Sequence, residues 1–336
     1  MKISVLGSGS WGTALSQVLA DNGNDVIVYG VDRNEIEDIN QNHKNSKYFG
    51  DTVINENLRA TLDVSEVGEY NDLVLVVVPT QFITSALNSV KPYIKPNTIV
   101  VNAAKGFDWT TNRRISETIR SCFADTEYAG LCSIIGPSHA EEVILRQLTA
   151  VSAVSVDESL AIKVQHIFSN GYLRVYVTDD EIGAEYGVAI KNVIAIASGI
   201  LDGQGYGDNA KAALITRGLR EMIQYGVSLG GKKDTFFGLT GVGDLIVTCF
   251  SPHSRNYQAG LKIGKMNSAK AIEGNTATVE GIHSCMSVHE DAKKRGIEMP
   301  IVDSVYRVLF EGAEPAAEIA AIMGRKLKSE HFGEYD

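Results

Sequence analysis

The glycine pattern near the start of this 336-residue chain constrains its fold more than any other feature. A short apolar run at residues 3–6 leads directly into Gly-Ser-Gly-Ser-Trp-Gly at residues 7–12, and apolar residues then recur at helical spacing. In the pattern G-x-G-x-x-G, the glycines permit a tight turn, a close approach of ligand to backbone, and close packing of helix on strand. The segment therefore predicts a strand, a glycine turn and a helix whose N-terminus can hold a phosphate.

The spacing of nearby residues favours a dinucleotide site over an ordinary glycine turn. A second apolar run, residues 25–29, follows the helix, and Asp32 lies 20 positions after Gly12. An acidic residue there accepts hydrogen bonds from the adenosine ribose of NAD, whereas the neighbouring Arg33 could face the 2′-phosphate of NADP. Both side chains could also be solvated loop residues. NAD(H) is therefore the favoured cofactor, and NADP(H) is kept as an alternative. The residues expected to contact the cofactor are Gly7, Gly9, Gly12 and Asp32.

Further apolar runs predict a doubly wound sheet. They lie at residues 73–78 and 98–102, with helical patterns between them. Short apolar runs joined through helices are typical of parallel strands buried on both faces, with right-handed crossovers. Such a sheet is a Rossmann-type α/β fold. Three more candidate strands extend the sheet, the last two in a mixed arrangement, at residues 132–135, 148–155 and 173–177.

The pattern changes near residue 180. Helical periodicity prevails from there and β-branched clusters become rare, with candidate helices at residues 182–201, 210–229, 287–295 and 301–310. We therefore expect a dinucleotide-binding Rossmann domain over residues 1–180 and a mainly α-helical substrate and catalytic domain over residues 181–336. The polar tail, residues 326–336, is expected to be an exposed end.

Composition excludes several functions. The 41 Asp and Glu residues outnumber the 31 Lys and Arg residues, and a net charge of −10 gives no general attraction to nucleic acid or an anionic membrane. An anionic substrate therefore needs a local basic cluster. The 4 widely spaced cysteines predict reduced thiols, and no metal site is expected. Without a signal-peptide core or a run of about 18 apolar residues, we expect a cytoplasmic protein that is not inserted in a membrane.

A lysine within an apolar run is the leading catalytic candidate. Lys191 lies in Gly-Val-Ala-Ile-Lys-Asn-Val-Ile-Ala-Ile-Ala, residues 187–197, on a predicted helix. Burial disfavours the ammonium form and lowers a lysine pKa, so such a lysine can exchange protons near neutral pH. Alternatively, its ammonium group reaches water while the aliphatic stem stays buried.

Two later segments add polar groups to the same domain. Glycines cluster at residues 238–243, and Asp244 and Thr248 follow them, one helical turn apart. Next comes the triplet Ser254, Arg255 and Asn256. Its arginine suits a phosphate, because the guanidinium fork matches phosphate oxygens and the neighbours add donors. An exposed loop is the competing interpretation, and His253 is expected to be a bystander.

Together these segments resemble the bacterial NAD(P)-dependent sn-glycerol-3-phosphate dehydrogenases along nearly the whole chain. The resemblance implies a Rossmann domain, a helical domain, a homodimer, and hydride transfer between NAD(P)H and dihydroxyacetone phosphate. The product, sn-glycerol 3-phosphate, supplies glycerophospholipid synthesis. The matching segments are GSGSWGTA (7–14), VVVPTQ (76–81), NAAKGF (102–107), GPSHAEEV (136–143), IKNVIAIASGILDGQGYGDNAKAALITRG (190–218), GLTGVGDLIVTC (238–249), SRNY (254–257) and MGRKLKSEH (323–331).

The resemblance also implies roles for single residues. Lys191 matches the proton acceptor, and Lys105 matches a lysine that touches both the substrate and the nicotinamide end. Asp244 would orient either Lys191 or a substrate hydroxyl. The other implied substrate contacts are Gly136, Ser138, Thr248, Ser254, Arg255 and Asn256. The other implied cofactor contacts are Ser10, Trp11, Ala140, Arg255 and Glu280.

The chain departs from the family at a few positions. Val31 stands where His or Arg is frequent and cannot bind a 2′-phosphate, which gives Asp32 more weight. His139, Glu141 and Thr278 replace the more usual Phe, Lys and Val, and none of these changes removes a group that the chemistry needs.

Two other functions share the predicted architecture. β-Hydroxyacid and ketopantoate reductases also carry a lysine on the first helix of the second domain. The Ser-Arg-Asn triplet and the loop at residues 207–209 (Gly-Asp-Asn) favour a phosphorylated triose instead. A non-catalytic NAD(H)-sensing module would be expected to lose Lys191 or Lys105, and both are present.

Overall fold

A computed structural model describes residues 1–274, 278–327 and 329–330 of the chain. Its N-terminal part is built on a single sheet, with the strands β1 (Lys2–Leu6), β2 (Asp25–Tyr29), β3 (Arg59–Thr61), β4 (Leu73–Val76), β5 (Ile99–Asn102), β6 (Gly130–Ile135), β7 (Thr149–Val154) and β8 (Leu173–Thr178). The strand order is β3-β2-β1-β4-β5-β6-β7-β8. Strand β7 runs antiparallel to β6 and parallel to β8, while the other pairs are parallel. The predicted Rossmann-type sheet with a mixed extension is confirmed.

Helices cover both faces of this sheet, as buried parallel strands require. They are α1 (Ser10–Asp21), α2 (Arg33–Asn42), α3 (Ser46–Phe49), α4 (Ile83–Val90), α5 (Ile115–Cys122), α6 (Ala140–Val143) and α7 (Glu158–Phe168). The sequence patterns did not reveal β3, because its three residues, Arg-Ala-Thr, are too few to show an apolar run.

The C-terminal part is helical. Its helices are α8 (Glu181–Gly203), α9 (Asp208–Ser228), α10 (Asp244–Phe250), α11 (Arg255–Met266), α12 (Glu280–Arg295), α13 (Pro300–Phe310) and α14 (Pro315–Met323). The helix predicted to start at residue 287 begins instead at Glu280. The prediction missed its first turns because the residues that they bury, Gly281, His283, Ser284 and Cys285, are small or polar. Of the tail expected to be exposed, residues 328 and 331–336 lie outside the described residues.

Close packing of α11 on α8 organises the helical part. A Cβ added to Gly199 of α8 would lie 2.0 Å from the carbonyl oxygen of Tyr257, and one added to Gly260 of α11 would lie 2.0 Å from that of Ile196. Because any larger side chain would push the two helices apart, these glycines let their backbones touch. The contact brings the N-terminus of α11, with Arg255, towards the middle of α8, where Lys191 lies.

Helix α8 is long and apolar enough, by length and composition, to cross a membrane. The expectation that the chain has no such segment was therefore too strong. However, 83% of its apolar stretch is buried inside the protein, as in the core helix of a globular domain.

Candidate active site

The glycine turn has the geometry that its sequence predicts. Gly7 has φ +121°, and a Cβ there would lie 2.7 Å from the carbonyl oxygen of Val77. A Cβ on Gly12 would lie 2.0 Å from the carbonyl oxygen of Gly7, whereas one on Gly9 would meet no described atom within 4 Å. Packing thus requires glycine at positions 7 and 12, whereas Gly9 leaves an open face at the N-terminus of α1. This open face and the free N–H groups of α1 fit the pyrophosphate of a dinucleotide.

The carboxylate of Asp32 lies just beyond β2, where a ribose acceptor is expected. It caps α2 by accepting a hydrogen bond from the Asn34 N–H (3.0 Å), and it pairs with Lys47 Nζ at 3.0 Å. The hydrogen bond from Lys47 holds the pKa of Asp32 below its ordinary value. Lys47 also pairs with the buried Glu35 at 2.6 Å. Sequence reasoning missed Lys47, because α3 brings it to this site from 15 positions further along the chain.

Two further predicted cofactor residues, Ser10 and Trp11, lie at the glycine turn. Ser10 is the first residue of α1, and the Trp11 indole N–H is buried without a hydrogen-bond partner in the described structure. Lys105 Nζ lies 5.4 Å from the centre of the Trp11 ring. Lys105 therefore connects the glycine turn with the polar cavity beside it.

This cavity, of about 110 Å³, lies between the sheet and the helical part. It can hold several water molecules or one small metabolite. The predicted residues that line it are Lys105, Ser138, Lys191, Asp244, Thr248, Ser254, Arg255, Asn256 and Glu280. Residues more than 150 positions apart thus meet in one cavity.

Lys191 is buried and paired with an acidic residue. Its side chain is 3% exposed, and its Nζ lies 2.5 Å from Asp244 Oδ1, whose side chain is 1% exposed. Lys191 Nζ also donates to Thr248 Oγ1 at 3.1 Å, and that hydroxyl donates to the Asp244 carbonyl at 2.6 Å. The ammonium group is held inside the protein, so the alternative in which it reaches bulk water is wrong.

A glycine-rich π-helical turn, Leu239–Gly243, places Asp244 at the start of α10. A Cβ on Gly241 would lie 2.1 Å from the carbonyl oxygen of Phe236, so glycine is needed there. The second carboxylate oxygen, Asp244 Oδ2, is buried and accepts no hydrogen bond from any described residue. A polar group of a ligand can supply that missing partner.

Lys105 and Arg255 add positive charge to the cavity. Burial, and next the nearby Lys191, lower the pKa of Lys105 to about 8. Arg255 Nη2 lies 3.6 Å from Glu280 Oε1, and burial raises the pKa of Glu280. With Lys191, these residues form the local basic cluster that an anionic ligand of an acidic protein requires.

Two neighbours of Arg255 have hydrogen-bonding capacity left over. Ser254 caps α11 by accepting from the Tyr257 N–H at 3.2 Å, so its own hydroxyl proton stays available. Asn256 Oδ1 accepts from the Gly281 N–H at 2.9 Å, which leaves its amide N–H groups as donors.

Some predicted residues lie outside this cavity in the described structure. Gly136 and Ala140 flank the cavity residue Ser138, and Gly136 has φ +155° with no room for a Cβ beside Val151. The segment at residues 207–209, which was expected to favour a phosphorylated triose, is exposed at the start of α9 and does not line the cavity.

Other cavity residues were missed. Asn192 lines the cavity, and its amide nitrogen is buried without a partner among the described residues. His139 and His253 line it from opposite domains, with ring centres 5.7 Å apart. Burial, and next Lys105, lower the pKa of His139. The position of Asn192, next to Lys191, was the one signal in the sequence for its inclusion. His253, which was expected to be a bystander, also lines the cavity.

Across the described residues, no group of three or more His, Cys, Asp or Glu side chains could hold a metal ion.

A Rossmann sheet with an open phosphate face, next to a cavity that holds a buried lysine–aspartate pair, defines an NAD(P)-dependent two-domain dehydrogenase. Two family models specify it further. The N-terminal model of NAD-dependent glycerol-3-phosphate dehydrogenase matches residues 2–161, and the C-terminal model matches residues 180–320. The chain belongs to this family.

Individual relatives agree with the family models. The chain is 47% identical over 336 residues to the glycerol-3-phosphate dehydrogenase [NAD(P)+] of Lactobacillus helveticus, with 98% of each chain covered. It is 42% identical over 330 residues to the protein of the same name from Staphylococcus haemolyticus, with 98% of this chain and 99% of the relative covered.

Solved structures give the same result. The crystal structure of glycerol-3-phosphate dehydrogenase from Coxiella burnetii matches with a TM-score of 0.89 and 34% identity, over 96% of this chain and 98% of that one. A ketopantoate reductase from Ralstonia eutropha matches with a TM-score of 0.59 and 17% identity, over 92% of this chain and 97% of that one, a likeness of fold alone.

Proposed function

We propose that this chain interconverts dihydroxyacetone phosphate and sn-glycerol 3-phosphate with NAD(H) or NADP(H), and so supplies the backbone for glycerophospholipids. In the reducing direction, ketone, NAD(P)H and a proton give secondary alcohol and NAD(P)+. The observation that carries the proposal is the buried Lys191–Asp244 pair, which lines the same cavity as Arg255. Lys191 can exchange a proton, and Arg255 can bind a phosphate.

Lys191 is the proton donor and acceptor in this proposal. The bound nicotinamide supplies or receives the hydride at substrate C2. As ammonium, Lys191 gives a proton to the carbonyl oxygen during reduction and recovers it from the hydroxyl during oxidation. Asp244 holds the ammonium group in place through Oδ1, and its unpaired Oδ2 can accept from a substrate hydroxyl. Lys105, which is close enough to Lys191 for the charges to interact, stabilises the negative charge on the same oxygen.

The substrate phosphate binds at the N-terminus of α11 in this proposal. Arg255 supplies the guanidinium, and Ser254 and Asn256 supply neutral donors that the protein leaves free. Ser138, Thr248 and the backbone near Gly136 complete the substrate site. Glu280, beside Arg255, faces the cofactor, as does Ala140 at the start of α6.

We propose a preference for NAD(H). Asp32 is ionised and lies where the ribose hydroxyls of a bound dinucleotide need an acceptor. The neighbouring Val31 is 87% exposed and offers no charge to a 2′-phosphate. Lys47 partly neutralises the charge of Asp32. We therefore expect NADH to bind more tightly than NADPH, with NADPH still accepted as a cofactor.

The domain boundary, assembly and location are also proposals. The boundary at 180/181 is supported by Asp180, which caps α8 through the Gly183 N–H at 2.9 Å. A homodimer is supported by Ile246 and Phe250, which are exposed one turn apart on α10. Four free thiols fit the reducing cytoplasm. The partner is a small triose phosphate, and nucleic acid and membrane insertion are not expected.

An absorbance assay tests the function. Purified protein is mixed with dihydroxyacetone phosphate and NADH or NADPH, and cofactor oxidation is followed. Oxidation that requires the phosphorylated ketone supports the proposal. The matched controls are unphosphorylated dihydroxyacetone and ketopantoate. Turnover of ketopantoate alone would favour the other reductase class, and cofactor binding without turnover of any ketone would favour the sensing module.

A further inference from the structure

The loop between β5 and α5, residues 103–114, belongs to one domain by sequence but is anchored in the other. Phe107 is buried in the core of the helical part, with its ring 5.6 Å from that of Tyr186 on α8. Trp109 stacks on His283 of α12, with ring centres 5.1 Å apart. Lys105 lies near the start of this β5–α5 loop, so its position depends on how the loop is held against the helical domain.

A buried polar cluster holds the far end of the same loop. Glu185 of α8 is 5% exposed, and its carboxylate accepts from the Ser116 N–H at 2.9 Å and the Ser116 hydroxyl at 2.6 Å. Arg114 Nη1 donates to it at 3.0 Å. One free N–H group of the α5 N-terminus, that of Ser116, is thus satisfied by a carboxylate from α8, an arrangement that both charge and hydrogen bonding favour.

A second carboxylate of α8 strengthens the cluster. Glu181 accepts two hydrogen bonds of 2.7 Å from Arg120 of α5, one to each oxygen. It also accepts from Arg114 at 3.2 Å. Arg114 and Arg120 therefore keep acidic partners when Glu185 is changed, and loss of that single carboxylate should loosen the junction without unfolding it.

Glu185 and Lys191 are parts of one rigid helix, less than two turns apart, while Arg114 and Lys105 are at opposite ends of one loop. We infer that Glu185 is a positioning residue: by joining Arg114 and the α5 N-terminus to α8, it sets the separation of Lys105 and Lys191 across the substrate cavity. The roles of the two lysines rest on the proposed function, but their separation is a property of the folded chain and can be measured without substrate.

The pKa of Glu185 allows its carboxylate to act as a charged partner of Arg114 above neutral pH. Burial raises its pKa to about 7, against hydrogen bonds from Ser116 and the charge of Arg114, and the charge of Glu181 raises it further. Above that pH the carboxylate is ionised and holds Arg114 fully. Lys105, with its pKa of about 8, titrates in this range.

The test is Glu185→Gln, read out through the pKa of Lys105. Competitive acetylation of the full-length protein across alkaline pH, with quantification of the Lys105 peptide by mass spectrometry, reports that pKa. If the lysines move apart, their repulsion weakens and Lys105 becomes more solvated, so its pKa should rise by about one unit. In the assay with dihydroxyacetone phosphate, kcat should fall about tenfold while KM changes little, because misplaced reacting groups cost rate more than binding.

The matched control is Glu221→Gln. Glu221 is another buried carboxylate, and it accepts from the Ile301 and Val302 N–H groups at a helix N-terminus, but both partners lie inside the helical domain. Its variant should lose stability and leave the Lys105 pKa and kcat unchanged. If Glu185→Gln folds poorly, Ser116→Ala removes one contact to Glu185 and keeps every charge, with a smaller shift expected in the same direction.

An unchanged Lys105 pKa in both Glu185→Gln and Ser116→Ala would overturn the inference, whatever the loss of stability. A wild-type protein that fails to reduce dihydroxyacetone phosphate would overturn the proposed function instead, and the acetylation result would still stand.

Discussion

Lys191 Nζ and Asp244 Oδ1 lie 2.5 Å apart, and both side chains are almost fully buried. An ion pair buried to this degree loses the hydration of both charges, and stability alone is a weak reason for a protein to keep it. It lies in a polar cavity with Asp244 Oδ2 unpaired, and the proposed function gives it a chemical purpose there: the pair would hold a proton in a fixed place beside the substrate.

Replacing the lysine tests that purpose. Lys191→Ala should lower kcat by roughly 100-fold or more, the usual contribution of a positioned proton donor, with a smaller change in KM for dihydroxyacetone phosphate. Steady-state kinetics of NADH oxidation measure both. Lys211→Ala, which removes a lysine whose ion-pair partners are Asp202 and Asp208, serves as the control. Turnover close to wild type in Lys191→Ala would remove this residue from the mechanism.

Replacing the arginine at the α11 N-terminus tests phosphate binding. Arg255→Ala should raise KM for dihydroxyacetone phosphate by about 10- to 100-fold, since a charge-assisted hydrogen bond contributes about 1.5–3 kcal/mol. The effect on kcat should be smaller. Arg295→Ala is the control, because Arg295 Nε pairs with Asp291 Oδ2 at 2.6 Å on the same helix and does not line the cavity. Equal KM values for the two variants would argue against a phosphate site at Arg255.

The cofactor preference can be measured by binding alone. Asp32→Ala should weaken NADH binding about tenfold, through lost hydrogen bonds to the ribose, and NADPH binding by less. Titration calorimetry with each dinucleotide gives the two dissociation constants. Arg33→Ala is the comparison, since Arg33 is the neighbouring residue that could face a 2′-phosphate. Its Nη1 lies 3.6 Å from Glu37 Oε1 on the exposed face of α2. If that variant selectively loses NADPH while Asp32→Ala leaves NADH binding unchanged, the preference for NAD(H) is wrong.

Glu221 should make stability depend on pH. Burial raises its pKa from 4.5 to about 8, so between these values the folded chain keeps a proton that the unfolded chain releases. Stability therefore falls as pH rises through this window, by at most about 1.4 kcal/mol per pH unit from this group. Denaturant unfolding of wild type and Glu221→Gln at several pH values isolates the contribution. The wild-type advantage should shrink towards pH 8, and a constant difference would contradict the assignment.

Local patterns predicted much of this molecule. Strand β2 was predicted with its observed bounds, and the glycine turn was placed correctly between β1 and α1, because apolar periodicity and glycine stereochemistry act over a few residues. Where local patterns were weak, prediction failed: β3 is very short, and the first turns of α12 bury mostly small and polar residues. The exposed segment at residues 207–209 shows that a distinctive motif need not line the cavity.

The sequence by itself determined the fold class and the residue types that the proposed site combines: a glycine turn, a lysine within an apolar run and an arginine flanked by serine and asparagine. Only the tertiary structure decided which groups act on one another. It paired Lys191 with Asp244, brought Lys47 to Asp32, and joined Glu185 to the N-terminus of α5. These contacts depend on how helices and loops from different domains pack, and no local periodicity records that packing.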